Sequence, residues 1–359
     1  MEEKVITPKK SSRNGHAEKF LQVVEALDKP IAILVTQVDP DAIGAALGLM
    51  SIIKSRGAVG NAKIYYCGSI GHPQNLCIFN RYNLKQICKP ISEYRPEGEG
   101  YVAFVDSSCL NDARLPPDIQ SEALRQKVRI VFDHHREEDI TETEESFVCV
   151  EDVGSTCTLI VEYMQKIGLV LEEEAYDMAL LLALGIYTDT KSLISGGKRD
   201  REAYGLITKN VTPQDLTQLI RYPLPESHFR NLTYALNHVV RSGSRLVACA
   251  GDIKPENGDD LSTIADSLIR MEGVSIVVVW GMVESSIRIS ARSMDTSTPL
   301  DEFLRKCFGD KSGAKLAPDG HGEGGALITP DLSFLMSEKT REKIRDVIQA
   351  RFAEMVLSE

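Results

Sequence analysis

The sequence predicts a two-domain α/β protein, with an N-terminal, mainly parallel sheet flanked by helices and a smaller C-terminal α/β domain. Three observations carry this expectation. Over roughly residues 18–200, short β-rich runs alternate with longer stretches of helical apolar spacing, the rhythm of strand–helix–strand units. A Pro-marked junction, RYPLPESHF (221–229), then separates this region from a second set of strand-like runs. The 359 residues, 43% hydrophobic and 26% charged, are enough to bury two cores.

The elements follow in order. IAILVT (31–36) reads as the first strand, and the following AIGAALGLMSIIKSRG has apolar positions that suit a helix. AKIYYC (62–67), YVAFVD (101–106) and VRIVFD (128–133) are the next strands, with helices expected at 155–168 and 174–187. Residues 200–235 read as helical and polar. SRLVACAGD then opens the second unit, with a helix near 259–271. VSIVVVWGM and SSIRISARS, joined by a short connection at 281–284, predict a hairpin. EKTREKIRDVIQARFAEMV is the closing helix. The expected division is 18–205 for the first domain, 206–235 for a helical linker and 236–359 for the second domain.

Composition narrows the function. No apolar run approaches the roughly 18 residues needed to span a bilayer. The opening MEEKVITPKKSSRNGH lacks the apolar core of a secretory signal and is expected to be a flexible tail. The eight cysteines form no CxxC pair, which excludes a zinc ribbon and a thioredoxin-type site; reduced, buried thiols of a cytoplasmic protein are expected. A net charge of −11 argues against a groove for long nucleic acid, which carries a basic footprint. A small anionic substrate held through metal ions remains compatible. GDKSGAK (309–315) fails the Walker A spacing, there is no GxSxG elbow, and nothing resembles GxGxxG after the first strand.

Chemistry collects where strands end. The first strand runs into VTQVDPDAIG, bringing Asp39 and Asp41. The next of interest ends at Asp106 in FVDSS, and the third ends at Asp133, followed by His134 and His135. Asp189, in LGIYTDT, follows a strongly apolar segment. Singly, each has a bland reading: Asp41 as a helix cap, Asp106 as a turn residue, Asp189 as a structural carboxylate, and the histidines as a satisfied pair in a turn. Together they fit a parallel sheet, whose strand ends share one edge where ligands collect. Crowded carboxylates tolerate their charge only with a cation among them. Oxygen ligands with one or two imidazoles suit Mn²⁺ or Mg²⁺ better than structural zinc. Two such ions are able to activate water and clamp a phosphoryl group.

DHH at 133–135, preceded by VDPDAIGAALGL and VDSS and followed by GIYTDT, resembles the DHH phosphoesterase family. That family includes RecJ-type exonucleases, nanoRNases that also dephosphorylate pAp, cyclic-dinucleotide phosphodiesterases, and family II pyrophosphatases or exopolyphosphatases. SIRISARS and DGHGEGGALI (319–328) are similar to the DHH-associated domain, so the resemblance covers roughly residues 20–350. It implies that Asp39 ligates a first metal and Asp41 a second. Asp106 would bridge both, and His134 and Asp189 would complete the second site. His135, following Asp133, would face the scissile phosphate. Arg292 and His321, with Gly320, Gly322, Gly324 and Gly325 forming a loop open to an anion, would hold the substrate's phosphate or nucleotide end. The active site would lie in the cleft between domains, and a homodimer is expected from similar proteins.

One departure stands out. The family pattern supplies a histidine before the aspartate pair, as in HxxPDxD. Here that position falls on Val35, or on Gln37 if two residues are deleted, so the first of two metal sites is expected to be weakened. The expected function is metal-dependent hydrolysis of short nucleotides: nanoRNA oligonucleotides, pAp or linear dinucleotides. The alternatives are a pyrophosphatase or exopolyphosphatase, and a catalytically impaired nucleotide-binding protein.

Overall fold

The computed structural model describes residues 13–57, 61–95, 100–112, 114–117, 119–135, 139–169, 175–316, 321–330 and 338–358. The chain divides into two compact units, Met1–Ser69 with Cys77–Arg221, and Ile70–Leu76 with Tyr222–Glu359.

The first unit is built on six parallel strands: β1 (Ile31–Val35), β2 (Ala62–Tyr66), β3 (Cys88–Pro90), β4 (Tyr101–Val105), β5 (Val128–Asp133) and β6 (Phe147–Val150). Their order is β3-β2-β1-β4-β5-β6. The order reverses between β1 and β4, and that switch point is where open α/β sheets bind ligands. Val35 pairs with Val105, and Val105 with Phe132. The carboxyl ends of β1, β4 and β5 are therefore level, and whatever follows them meets. The strands at 88–90 and 147–150 are too short to have been read from the sequence.

Helices α1 (Arg13–Glu25), α2 (Pro40–Arg56), α5 (Thr156–Lys166) and α6 (Tyr176–Asp189) belong to this unit, as does α7 (Lys198–Ile207). The intervening α3 (Pro73–Arg81) and α4 (Glu122–Arg125) are short. On one side Phe20, Phe132, Phe147 and Tyr163 interlock with ring centroids 5.1–5.5 Å apart, geometry that adds to their area burial. On the other, Leu34, Phe104 and Val131 pack against Leu110, Leu115, Ile119 and Leu124. Burial on both faces explains why the central strands read as continuous apolar runs rather than alternating ones.

The second unit follows α8 (Pro213–Ile220) and contains α9 (Glu226–Asn237), then β7 (Val239–Ser242), β8 (Arg245–Ile253), α10 (Asp260–Leu268), β9 (Ile276–Val283), β10 (Ser286–Ser293), α11 (Leu300–Phe308), β11 (Ser312–Leu316), β12 (Gly322–Ile328) and α12 (Glu338–Leu357). The sheet order is β11-β12-β10-β9-β8-β7, parallel only between β8 and β9. The expected hairpin is β9–β10, turning through Glu284 at φ 55°. Along β9, Val277 and Val279 face Leu261, Ile264 and Leu268. The alternate Val278 and Trp280 face Phe303, Leu304 and Phe352. Among the described residues no helix is long and apolar enough to cross a membrane, and all eight cysteines are free.

Candidate metal centre

The site grows out of the level strand ends of the first unit. After β1 the chain turns directly into α2, and Asp39 is its N-cap: its side chain accepts from the Ala42 amide at 2.9 Å. The capping role open to Asp41 in the sequence thus falls to its neighbour. Asp41, fully buried in the first turn of α2, is held by a different helix. One carboxylate oxygen accepts from Ser155 Oγ (2.5 Å) and the Cys157 amide (2.8 Å), and the other from the Thr156 amide (2.7 Å). These donors form the N-terminus of α5, where orphan amides and the helix dipole favour an anion.

Asp106 follows β4 in the left-handed region, φ 57°. A non-glycine residue there is strained, and such strain gathers at functional sites. Its amide donates to Phe132 O (2.9 Å), which ties the end of β4 to β5, and Thr156 Oγ1 donates to its side chain at 3.1 Å. Asp189 arrives as the last residue of α6. It reaches the site because α2 and α6 touch at Gly185. A Cβ there would lie 2.9 Å from Asp41 Cα and 3.1 Å from Pro40 O.

Asp133 organises the turn instead of joining the cage. Buried at the end of β5, it accepts through one oxygen from the His134 amide (2.8 Å), the His135 amide (3.1 Å) and His135 Nδ1 (2.8 Å). Ser108 Oγ donates to its other oxygen at 2.7 Å. Burial pushes its pKa up, but the bonds from His135 and Ser108 outweigh this and hold it below the usual carboxylate value. His135 is thereby fixed by Nδ1 with its ring partly exposed.

His134 is the centre of the cluster. Its Nδ1 lies 3.1 Å from Val153 O, which makes that nitrogen a donor and aims Nε2 into the cluster. Nε2 is buried and has no hydrogen-bond partner among the described residues. It faces Asp106 at 3.4 Å, Asp189 at 3.4 Å and Asp41 at 3.8 Å. An orphaned imidazole nitrogen inside three carboxylates is costly unless something positive is shared there. A divalent cation would satisfy that nitrogen together with the carboxylates grouped with it.

The titration behaviour agrees. Burial, with the charges of Asp39, Asp41 and Asp189, raises Asp106 to about 8. Burial and the charge of Asp41 raise Asp189 to about 7. His134 is lowered by desolvation, yet its contacts with Asp106 and Asp189 prevail and carry it up to about 12. Protons collect where a cation would neutralise the same oxygens. Two ligand sets are geometrically compatible with a metal among the described residues, Asp41–His134–Asp189 and Asp106–His134–His135, with ligand atoms within 4.8 Å of one another.

Asp39 joins neither set, although its charge reaches Asp106 and Asp189. Val35 is buried inside β1, and Gln37 lies in the turn beyond it, with its amide oxygen taken by Arg114 Nη1 at 2.8 Å. In the second unit Arg292 Nε pairs with Asp266 at 2.6 Å, and the Ser293–Gly322 register sets His321 beside the Arg292 end of β10. The expected glycine-rich loop is mostly a strand. Gly322, Gly324 and Gly325 lie in β12, where a Cβ at Gly324 would come 2.6 Å from Leu304 and 2.7 Å from Ala314. Their smallness serves packing there. Gly320 lies outside the described residues.

Several supporting residues escaped the sequence reading. Ser155–Cys157 sit in VGSTCT, whose Gly-Ser-Thr announces a helix start but not what fills it. Asp200, buried, accepts from the Gly154 amide (3.0 and 3.1 Å), the Gly197 amide (2.7 Å) and Thr158 Oγ1 (2.7 Å). It thereby anchors the segment that carries Val153 O. Three consecutive left-handed residues, Lys191, Ser192 and Leu193, follow Asp189, and nothing in the sequence marks them.

Residues 30–186 match the model of the DHH family, N-terminal domain. Two uncharacterized proteins of Methanocaldococcus jannaschii are similar to the chain. One is 26% identical over 344 residues, covering 94% of this chain and 66% of its own length. The other is 22% identical over 346 residues, covering 91% of this chain and 95% of its own length. The chain therefore spans just under two thirds of the first relative. Among solved structures, an exopolyphosphatase-related protein from Bacteroides fragilis aligns over 100% of both chains with a TM-score of 0.68 at 16% identity, a likeness of fold.

Proposed function

We propose that the chain, whose residues 30–186 match the model of the DHH family, N-terminal domain, is a divalent-metal-dependent phosphoesterase that hydrolyses short nucleotides, such as oligoribonucleotides of a few residues, pAp or linear dinucleotides. The observation that carries this reading is the buried His134 Nε2, without a hydrogen-bond partner among the described residues, facing oxygens of Asp41, Asp106 and Asp189. One imidazole and three carboxylates are a hard donor set suited to Mn²⁺ or Mg²⁺. A cation held by these four residues would supply Lewis-acid polarisation of a phosphoryl oxygen and a water acidic enough to attack near neutral pH.

The chain's own groups do the rest. Val153 O orients the His134 ring, and the N-terminus of α5 fixes Asp41, so these two are held in place. His135, held at Nδ1 by Asp133, would offer Nε2 as a proton acceptor and, once it carries that proton as the imidazolium, would donate it to a non-bridging phosphate oxygen or to the leaving oxygen. Within the second unit, Arg292 and His321 are suited to a phosphate, which would displace Asp266 from the guanidinium. The net charge of −11 disfavours long polyanions.

A panel of pAp, pApA, a linear diguanylate and inorganic polyphosphate tests the reading, incubated with Mn²⁺ or Mg²⁺ and resolved by chromatography. Metal-dependent mononucleotide or phosphate release from the first three, abolished by chelation, is expected. Turnover of polyphosphate alone would favour the pyrophosphatase class. Nucleotide binding with no turnover at any metal concentration would reject an esterase.

A further inference from the structure

We propose that Ser108 is a positioning residue of the hydrolysis: by holding the Asp133 carboxylate, it aims the His135 ring at the substrate phosphate. The inference rests on the phosphoesterase reading above and adds to it a residue that acts only through its neighbours.

Ser108 is 1% exposed and follows Asp106 by two residues beyond the end of β4. Its Oγ donates to one Asp133 oxygen at 2.7 Å. The other oxygen accepts from the His134 amide (2.8 Å), the His135 amide (3.1 Å) and His135 Nδ1 (2.8 Å). A carboxylate turns readily about its Cβ–Cγ bond. The two amides belong to the same turn as Asp133 and move with it. Ser108 comes from a different strand end, so its bond fixes the carboxylate against the rest of the fold. The order of groups is not that of a serine-hydrolase triad, in which the serine bonds the imidazole. Here the serine bonds the carboxylate, and its hydroxyl is buried away from any substrate.

That hydroxyl is itself firmly placed. Ser108 O accepts from the Asp139 amide at 3.1 Å. The Asp139 carboxylate in turn accepts from the Leu110 amide (2.8 Å), the Asn111 amide (3.1 Å) and Asn111 Nδ2 (2.5 Å), and the Arg125 guanidinium bonds Asp139 O. The chain beyond the two histidines therefore clamps the loop that supports them. His135 has the most freedom to lose: its side chain is 40% exposed, with its ring against that of His134 at a centroid distance of 4.4 Å. Without the Ser108 bond the Asp133–His135 pair swings, and Nε2 leaves its line to the phosphate.

The test compares Ser108→Ala, His135→Ala and the double variant of the full chain, with Mn²⁺ and the panel substrate that wild type turns over fastest. Ser108→Ala is expected to lower kcat by about tenfold through misplacement of His135, with KM and Mn²⁺ affinity within about twofold of wild type. The double variant is expected to be no slower than His135→Ala, since the two residues act as one unit. A second readout needs neither metal nor turnover. In the ¹⁵N-histidine-labelled, metal-free chain, the His135 Nδ1 proton is identified by its absence from His135→Ala, and in Ser108→Ala it is expected to exchange with water about tenfold faster. Additive losses in the double variant, a fall in Mn²⁺ affinity matching that in kcat, unchanged exchange, or failure of Ser108→Ala to fold would each overturn this inference and leave the phosphoesterase reading intact. Wild type without turnover of any panel substrate would overturn both.

Discussion

Gly185→Ala isolates the contact that sets the distance between two ligands. The added Cβ would stand 2.9 Å from Asp41 Cα, 3.1 Å from Pro40 O and 2.6 Å from Cys157 Sγ. Ordinary carbon contacts begin near 3.5 Å, so α2 and α6 must separate by about 0.5 Å. Asp41 is itself the contact, and Asp189 lies four residues further along α6. The same displacement therefore opens the cage across Asp41–His134–Asp189. Overpacking of this kind costs about 1–3 kcal/mol, whereas alanine gains about 1 kcal/mol over glycine inside a helix. Net stability should consequently fall by no more than about 2 kcal/mol, within reach of urea unfolding. Mn²⁺ affinity should fall by roughly tenfold or more, as about 1.4 kcal/mol of lost coordination implies. The assay pairs urea unfolding of the metal-free chain with Mn²⁺ titration of the folded one. A variant stabilised by about 1 kcal/mol with unchanged affinity would refute the claim that the Gly185 contact sets the ligand geometry.

Other perturbations read other parts of the site. With Asp106 raised to about 8 and Asp189 to about 7, these carboxyls hold protons at neutral pH that a cation must displace. Mn²⁺ affinity should therefore rise as pH climbs from about 6 to 8, with proton release visible by calorimetry in buffers of differing ionisation enthalpy; binding that releases none would contradict the assignment. Asp133→Asn keeps the shape, its carbonyl oxygen able to face His134 and His135 and its amide Ser108 Oγ, but removes the charge that steadies a cationic His135, so kcat should drop by about 10²-fold with KM changed far less. An equal loss in both would instead mean general disruption. Asp200→Ala removes the acceptor of the Gly154 and Gly197 amides and of the Thr158 hydroxyl. It should weaken Mn²⁺ binding by about tenfold through Val153 and His134, and retention of wild-type affinity would make Asp200 purely structural.

The strand ends were legible because their chemistry is local: an apolar run stopping at a carboxylate or an imidazole reads the same at any distance from its partners. The parallel order then forced Asp41, Asp106 and His134 to one edge. What could not be read was the use of each group. Asp39 and Asp41 are two residues apart and both suit a helix cap, yet only the structure separates the one that caps α2 from the one held by α5. GHGEGG reads as a loop from its glycines, but in β12 their missing side chains make room for Leu304 and Ala314. Glycine is counted as a turn signal because most glycines sit in turns, and nothing in the letters distinguishes close approach from left-handed backbone.

Asp41 shows why the supporting groups stay hidden even when the ligands do not. Sequence logic assigns a cap to the helix that follows it, since N-cap bonds span two or three residues. Here the carboxylate satisfies the first amides of a helix 115 positions later. That arrangement spends one structural requirement, the orphan amides of α5, on another, the anchoring of a buried anion. It ties the start of α2 to the start of α5 at the point where Asp189 ends α6. Thr156 then bonds Asp106, and Val153 bonds His134, so the segment 153–157 touches three of the four ligands. The ligands are consequently held by one another's scaffolding and not by independent loops. A cation entering this cage would find the oxygens of Asp41 and Asp106 already oriented, which is why the sequence shows the candidate ligands and only the fold shows what holds them.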